Sequence, residues 1–369
     1  MSVLQELIRI SREYGGNPDY VIAGGGNTSV KDGEVLHVKA SGVALATIDA
    51  KGFVTLSRSL LTGMETRTYP EDPAEREAAV KADLHAAIRG ETGLRPSVET
   101  SLHNLIPYAF VVHTHPTRVN GLMCGRDVAR EVEKRFGSAA LYVPYTDPGF
   151  TLFQRMQTLI RQWKEDRGDA PRIIFLQNHG VFVGADSAAE IEDLYAGIFR
   201  ALEEGTDLNL PETGTRSFDS NAVRVLTRAM EARGRVVRTL RSPLIDALVR
   251  NPERLPDIRR PFTPDIIVYC KSNYLFLQKG MEEAGIRVAL QGFESEHGYL
   301  PRVVVEEGQG LLLSEENPGA LQTVEEVFTD MMKIAYLTRQ FGGPHPMEEG
   351  QIDFIDNWEA EHYRRKMAR

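Results

Sequence analysis

Apolar residues along this chain follow two rhythms, one near 3.6 and one near 2, and the switches between them mark out its elements. Helical spacing runs through residues 3–13, 127–137, 152–166 and 187–205. Asp72 before Pro73 is a helix start, a side-chain cap followed by a residue suited to the first turn, and that helix runs to near Gly90. Pro96, Ser97 and the polar residues after them open another helix, with Glu99 in its first turn and His103 four residues on along the same face. Short β-branched runs predict strands: a Gly-rich strand-turn-strand region over 20–57, then "AFVVHTH", "AALYVPY", and the pair "RIIFLQ" and "VFVGA".

Three of these strand ends carry chemistry. Phe110-Val111-Val112 leads into His113-Thr114-His115. Residues i and i+2 of a strand share a face, so both imidazoles converge, and Pro116 then ends the ladder. Two imidazoles on one face are two legs of a metal site, although a bare HxH equally fits one core and one surface histidine. A second run stops at Asn178-His179-Gly180, which reads as a tight hairpin able to bring His179 to the same rim. Glu99 adds a carboxylate, or else is a solvated acid favoured by the helix dipole. The third is Gly24-Gly25-Gly26 before Asn27-Thr28-Ser29, with Lys39, Ser41 and Gly42 in a later polar turn. Glycines let backbone amides approach a ligand. The spacing fits neither the dinucleotide fingerprint nor a Walker loop.

The segments "GGGNTS", "VKASG", "PSVETSLH", "VVHTHP" and "QNHGVFVGA", in that order, resemble the class II aldolase/adducin family over about residues 15–205. Within it the chain is most similar to the rhamnulose-phosphate aldolase domain of proteins fused to a short-chain dehydrogenase, with a weaker likeness at Thr263-Pro264-Asp265 and on to about 275. The resemblance implies a three-layer α/β/α fold around a mainly antiparallel sheet. It implies that His113, His115 and His179 hold a divalent metal such as zinc, with Glu99 as acid/base and possible fourth ligand. Asn27, Ser41, Gly42 and Ser97 would hold a substrate phosphate, with Lys39 a charged neighbour. Val98 stands where such aldolases carry a second serine, which removes one phosphate donor. A homotetramer with active sites at subunit borders is also implied.

The resemblance implies an aldolase that cleaves a rhamnulose- or fuculose-like ketose 1-phosphate to dihydroxyacetone phosphate and an aldehyde, and these residue types suit that chemistry. A metal polarises the carbonyl, Glu99 moves the adjacent proton, and the charge of the enediolate rests on the metal, so no Schiff-base lysine is needed. The aldehyde oxygen needs a second acid. Tyr145, in the polar turn of "LYVPYTDPGF", is a candidate, although a packed ring with a capped hydroxyl explains it as well. His37 and His103 read as supporting residues. A related epimerase or dehydratase, or a non-catalytic adducin-like interaction module, are the competing functions.

Composition narrows the class. A 42% hydrophobic fraction over 369 residues builds a sizeable core. Cys124 and Cys270 form no CxxC pair, which suits a reducing cytoplasm. The first residues read as a charged amphipathic helix and not a signal peptide, and no apolar run approaches a membrane span. A net charge of −9 argues against nucleic acid as partner.

The expected organisation is a catalytic domain over 1–208, a polar linker at 209–220, a smaller C-terminal α/β unit over 221–341 and a helical tail over 342–369. The C-terminal unit carries an internal echo. "RVVVEEGQGLLLSEENPGALQTVEEVF" repeats the syntax of "RIIFLQNHGVFVGADSAAEIEDLY", with Gln309 in the place of His179. Upstream, "TPDIIVYCKS" aligns loosely with "IPYAFVVHTH", which predicts a strand with Cys270 and Ser272 opposite His113 and His115. His297, beside Glu294 and Glu296, reads as a solvated loop residue. Trp358 and Tyr363 in the tail are candidates for docking on a neighbouring subunit.

Overall fold

The computed structural model describes residues 2–358. They divide into two compact units. One runs to Thr206 apart from Cys124–Arg126, and the other comprises that tripeptide and the chain from Asp207 onward.

The first unit is built on seven strands: β1 Asn27–Asp32, β2 Val35–Lys39, β3 Phe53–Ser57, β4 Phe110–Thr114, β5 Ala140–Val143, β6 Ile173–Leu176 and β7 Gly180–Ala185. Their order is β3-β2-β1-β4-β7-β6-β5, and only the β5–β6 pair is parallel. The strand carrying the two histidines, β4, lies in the middle of the sheet with all five residues buried. That is what a β-branched run with no polar alternation requires.

Helices cover both faces. On one, Leu36, Val38, Val111 and Phe182 pack with Leu61, Leu84, Leu102 and Met156 from the helices Arg58–Gly63, Pro73–Ala86, Thr100–Leu105 and Phe150–Arg167. Burying a Val, Leu or Phe side chain contributes about 1.5–3 kcal/mol, so this cluster is the main support beneath the site. The helices Val3–Gly15 and Ala188–Glu203 pack against β4 from the other face. The result is three layers with a mainly antiparallel centre. Local signals act as the sequence implies: Asp72 caps its helix by accepting from Glu75 N at 2.9 Å, and Ser187 does the same for Glu190 N at 3.3 Å. The helix from Pro73 ends at Ala86, a few residues before Gly90.

The second unit has a four-stranded sheet of β8 Val236–Leu240, β9 Leu275–Leu277, β10 Val303–Glu306 and β11 Gly310–Glu315, in the order β8-β11-β10-β9. The β10–β11 hairpin and the helix Pro318–Leu337 have the same strand lengths and the same turn and helix spacing as β6, β7 and the helix at Ala188. The upstream half of the expected echo is different. Pro264–Cys270 is an α-helix and not a strand, so Cys270 and Ser272 do not stand where His113 and His115 do. Thr263 is its N-cap residue and Pro264 fills its first turn, and this start signal outweighs the β preference of Ile266, Ile267 and Val268. His297 also departs from expectation: it is the last residue of the helix Glu283–His297, its ring 4.5 Å from that of Phe293. Trp358 is buried after the helix Glu349–Asn357, its ring 5.8 Å from Phe354. Tyr363 lies outside the described residues.

Candidate metal centre

Three strand ends converge on one rim. His113 is the fourth residue of β4 and is fully buried. His115 follows β4, and its N–H donates to Tyr20 O at 3.1 Å. His179 ends the three-residue turn between β6 and β7, where Asn178 adopts a positive φ of 54°. The rings of all three lie within 4.8–5.0 Å of one another, and one ligand nitrogen from each falls within 4.8 Å of the others. This is the cluster that the HTH and NHG segments imply.

Two glycines allow this approach. A Cβ on Gly180 would stand 2.4 Å from Thr114 O and 2.7 Å from the His115 ring, so only glycine lets β7 start this close to the end of β4. Gly26 has φ of +65°, and a Cβ there would meet His113 O at 2.9 Å. Gly25 spends its N–H on Ile22 O, at 3.1 Å, within the turn.

His113 is oriented by contacts that the sequence did not disclose. Its Nδ1 lies 3.0 Å from Val181 O, and a carbonyl oxygen only accepts, so Nδ1 carries the hydrogen and Nε2 presents its lone pair. Its ring stacks on Phe182, 4.0 Å between centroids, because the two residues are partners in the β4–β7 register. The outer contacts of a ligating histidine fix its tautomer in this way.

Glu99 completes the set. It stands at the N-cap of the helix Thr100–Leu105, one position before the first turn where the sequence places it, and is buried. Its Oε1 lies 3.3 Å from His113 Nε2 and 3.6 Å from His179 Nε2, and His115 Nε2 is 3.0 Å from His113 Nε2. Ligand atoms around a small divalent cation stand about 3.3 Å apart, so these spacings are of the size that such a cation spans. Oε1 is buried and accepts no hydrogen bond, which is costly for a carboxylate unless a cation or proton joins it. The donor set therefore fits a divalent metal.

The other expected site residues fall into three groups. Asn27 and Ser97 lie beside Glu99: Asn27 Nδ2 donates to Glu99 Oε2 at 2.5 Å and to Ser97 Oγ at 3.2 Å, and Ser97 Oγ also accepts from Glu99 N at 3.2 Å. The turn with Ser41 and Gly42 is tied to the Ser97 segment, since Ala40 bridges Pro96 and Ser41 N donates to Arg95 O at 2.8 Å. Gly42 has a φ of +81° there. Lys39 ends β2 buried, and its charge helps to hold the fully buried His103 neutral, after burial itself, His113 and Lys31. Tyr145 stands in the turn after β5, which is tied to the His179 turn because Gln177 Oε1 accepts from Tyr145 N at 3.1 Å and from Tyr142 Oη at 2.7 Å. The Tyr145 hydroxyl is buried without a hydrogen bond of good geometry, and burial, then nearby Asp147, raises its pKa far above the usual phenol range. Gln177 was not a sequence candidate. Its signal is a polar residue ending an apolar run just before Asn178-His179.

The family model for the class II aldolase and adducin N-terminal domain matches residues 5–203. The chain belongs to this family. Over 210 residues, 54% of its length, it is 30% identical to an uncharacterised oxidoreductase, YuxG, of Bacillus subtilis, and the match spans only 29% of that protein. Among solved structures it is similar to the N-terminal class II aldolase domain of a conserved protein from Thermoplasma acidophilum, with 29% identity, a TM-score of 0.47, and coverage of 55% of this chain and 93% of that one. It is also similar to L-fuculose-1-phosphate aldolase from Thermus thermophilus, with 17% identity, a TM-score of 0.34, and coverage of 55% and 90%. Family membership and the three-histidine cluster fall on the same unit. No helix among the described residues is long and apolar enough to cross a membrane.

Proposed function

We propose that the first unit is a metal-dependent aldolase that cleaves a ketose 1-phosphate of rhamnulose or fuculose type, with zinc held by His113, His115 and His179. The observation that carries this reading is Glu99 Oε1: buried, without a hydrogen bond, and 3.3 and 3.6 Å from two of the imidazoles. A carboxylate with one oxygen anchored and the other facing a cation site is arranged to take a proton from a carbon beside a polarised carbonyl. A bound divalent cation would supply the Lewis acid for that carbonyl.

The protein's own groups do the rest. In the condensation direction Glu99 Oε1 takes a proton from the hydroxymethyl carbon of dihydroxyacetone phosphate. That carbon adds to the aldehyde, and the alkoxide so formed takes a proton from a phenol. Tyr145 is the candidate, since burial keeps it protonated at neutral pH. Cleavage is the reverse sequence. Ser97 has both lone pairs engaged by Asn27 Nδ2 and Glu99 N, which leaves its hydroxyl hydrogen to offer a phosphate oxygen. The Ser41-Gly42 turn lies alongside, and because Ser41 N is spent on Arg95 O, the Ser41 hydroxyl and the Gly42 N–H are the donors it would add.

The test is exchange of a dihydroxyacetone phosphate proton with D₂O, on metal-loaded protein and on a chelator-treated control. Exchange that needs both the metal and Glu99 is expected. Metal-loaded protein that binds the phosphate yet exchanges nothing, with or without an aldehyde analogue, would overturn the reading in favour of an epimerase or dehydratase.

A further inference from the structure

A line of buried hydrogen bonds runs from β1 through the helix Thr100–Leu105 to Glu99. Ser29 Oγ lies 2.7 Å from His103 Nδ1, His103 Nε2 contacts Asn27 Oδ1, and Asn27 Nδ2 donates to Glu99 Oε2 at 2.5 Å. Ser29 and His103 are fully buried and Asn27 nearly so.

The direction of every bond follows from one end. A carboxylate only accepts, so the atom of Asn27 that faces Glu99 is its NH₂. Its carbonyl oxygen then faces His103 and also only accepts, so His103 Nε2 carries a hydrogen. Nδ1 of the neutral ring is left as an acceptor, and the Ser29 hydroxyl donates to it. Asn27 is thereby saturated: one amide hydrogen on Glu99, the other on Ser97 Oγ at 3.2 Å, and the oxygen on His103.

We infer that Ser29 and His103 lock the Asn27 amide, and that Asn27 in turn holds Glu99 with Oε2 anchored and Oε1 presented to the histidines. Asn27 and His103 are positioning residues, and the substrate phosphate is left to Ser97 and the Ser41-Gly42 turn. This inference rests on the proposed aldolase reading for its kinetic consequence alone. The hydrogen-bond line is a property of the folded chain.

Two measurements test it. The first is the long-range ¹H–¹⁵N imidazole spectrum of the protein at neutral pH without substrate. His103 is expected as the Nε2–H tautomer, with a pattern that changes in Asn27→Leu. An Nδ1–H tautomer, or an unchanged pattern, overturns the inference. The second is proton exchange on dihydroxyacetone phosphate. Asn27→Leu and His103→Leu should lower kcat about 10–100-fold, as loss of groups that orient a ligating or catalytic residue does, with KM changed less than about threefold. His103→Gln, whose side-chain NH₂ can reach Asn27 Oδ1, should recover most of that loss. Should His103→Leu fail to fold, Ser29→Ala removes the far end of the line at lower cost and should lower kcat in the same sense. A rise in KM at constant kcat in Asn27→Leu would assign its amide to substrate and overturn the inference. If wild-type protein shows no exchange, the aldolase reading fails, and the imidazole spectrum still decides whether the line exists.

Discussion

Asn27 and His113 are direct partners across the β1–β4 pair, so the residue that anchors Glu99 stands opposite one of the three clustered imidazoles. Side chains opposite one another on neighbouring strands share a face, with Cβ atoms about 4.5–5.5 Å apart. The anchor of Glu99 and one of the imidazoles are therefore set by the same strand pair. The roles of Glu99 and the histidines should still separate on mutation. His113→Ala removes a buried ligand and should lose both metal and exchange activity. Glu99→Gln keeps three imidazoles and should keep metal, measured by elemental analysis, while exchange falls about 10²–10⁴-fold. Full activity in Glu99→Gln would rule out its acid/base role.

Gly180→Ala tests whether the centre depends on close approach of β7 to β4. The new methyl would fall 2.4 Å from Thr114 O, a backbone atom that cannot rotate aside. Relief requires the β6–β7 turn to move, and His179 moves with it. Overpacking of this kind costs about 1–3 kcal/mol. The variant should melt lower and bind zinc more weakly than wild type in a chelator-competition titration. Zinc affinity equal to wild type would show that His179 is placed by other contacts.

The parts of this molecule legible from sequence are those fixed by local signals. An apolar run into His113-Thr114-His115 dictates a buried strand with two converging rings, and the β4 register bears this out. Asp72-Pro73 dictates a helix start, which Pro73–Ala86 supplies. What was hidden depends on long-range pairing. The contact of His103 with Asn27 joins residues 76 apart, and Phe182 meets His113 only because of strand register. Both are invisible to spacing rules. Pro264–Cys270 shows the opposite failure, where a β-branched run suggested a strand although Thr263-Pro264 begins a helix. Gln177 lay inside a segment already singled out, but its role depends on β5 lying beside β6, which no local pattern states.

Lys31 gives the fold a dependence on pH. Its Nζ donates to His103 O and Tyr108 O, both at 2.8 Å, so it ties down the segment between the Glu99 helix and β4. Burial, with a smaller push from Arg58, lowers its pKa to about 7 from 10.5. Between these values the unfolded chain holds a proton that the folded chain lacks. Lys31 therefore makes stability rise with pH through this window, by at most roughly 1.4 kcal/mol per unit. Below pH 7 both states carry the proton and the contribution is flat. Urea unfolding of wild type and Lys31→Met at pH 6.5, 8 and 9.5 reads the difference directly. The wild-type advantage should grow with pH, and a constant difference would mean that the lysine stays charged in the fold.

The second unit contains a buried charge whose partner should matter more than the pair does. Glu315, at the end of β11, is 3% exposed. Arg302, just before β10, meets its Oε1 with Nε at 2.6 Å and also donates to Tyr269 O. Arg235 stands farther off, at 3.8 Å from Oε2. Arg302→Leu would leave a buried carboxylate whose Oε2 keeps the Glu316 N–H at 2.8 Å and the distant Arg235, with no cation close to Oε1, and removing one member of a buried pair costs about 3–5 kcal/mol. Replacing both, Arg302→Leu with Glu315→Leu, removes the orphaned charge and should recover much of the loss, because a buried ion pair and an apolar pair of similar volume are often close in stability. Denaturant unfolding of the two single variants and the double variant separates these cases. A double variant as unstable as Arg302→Leu would show that the guanidinium acts through Tyr269 O and packing, and not through Glu315.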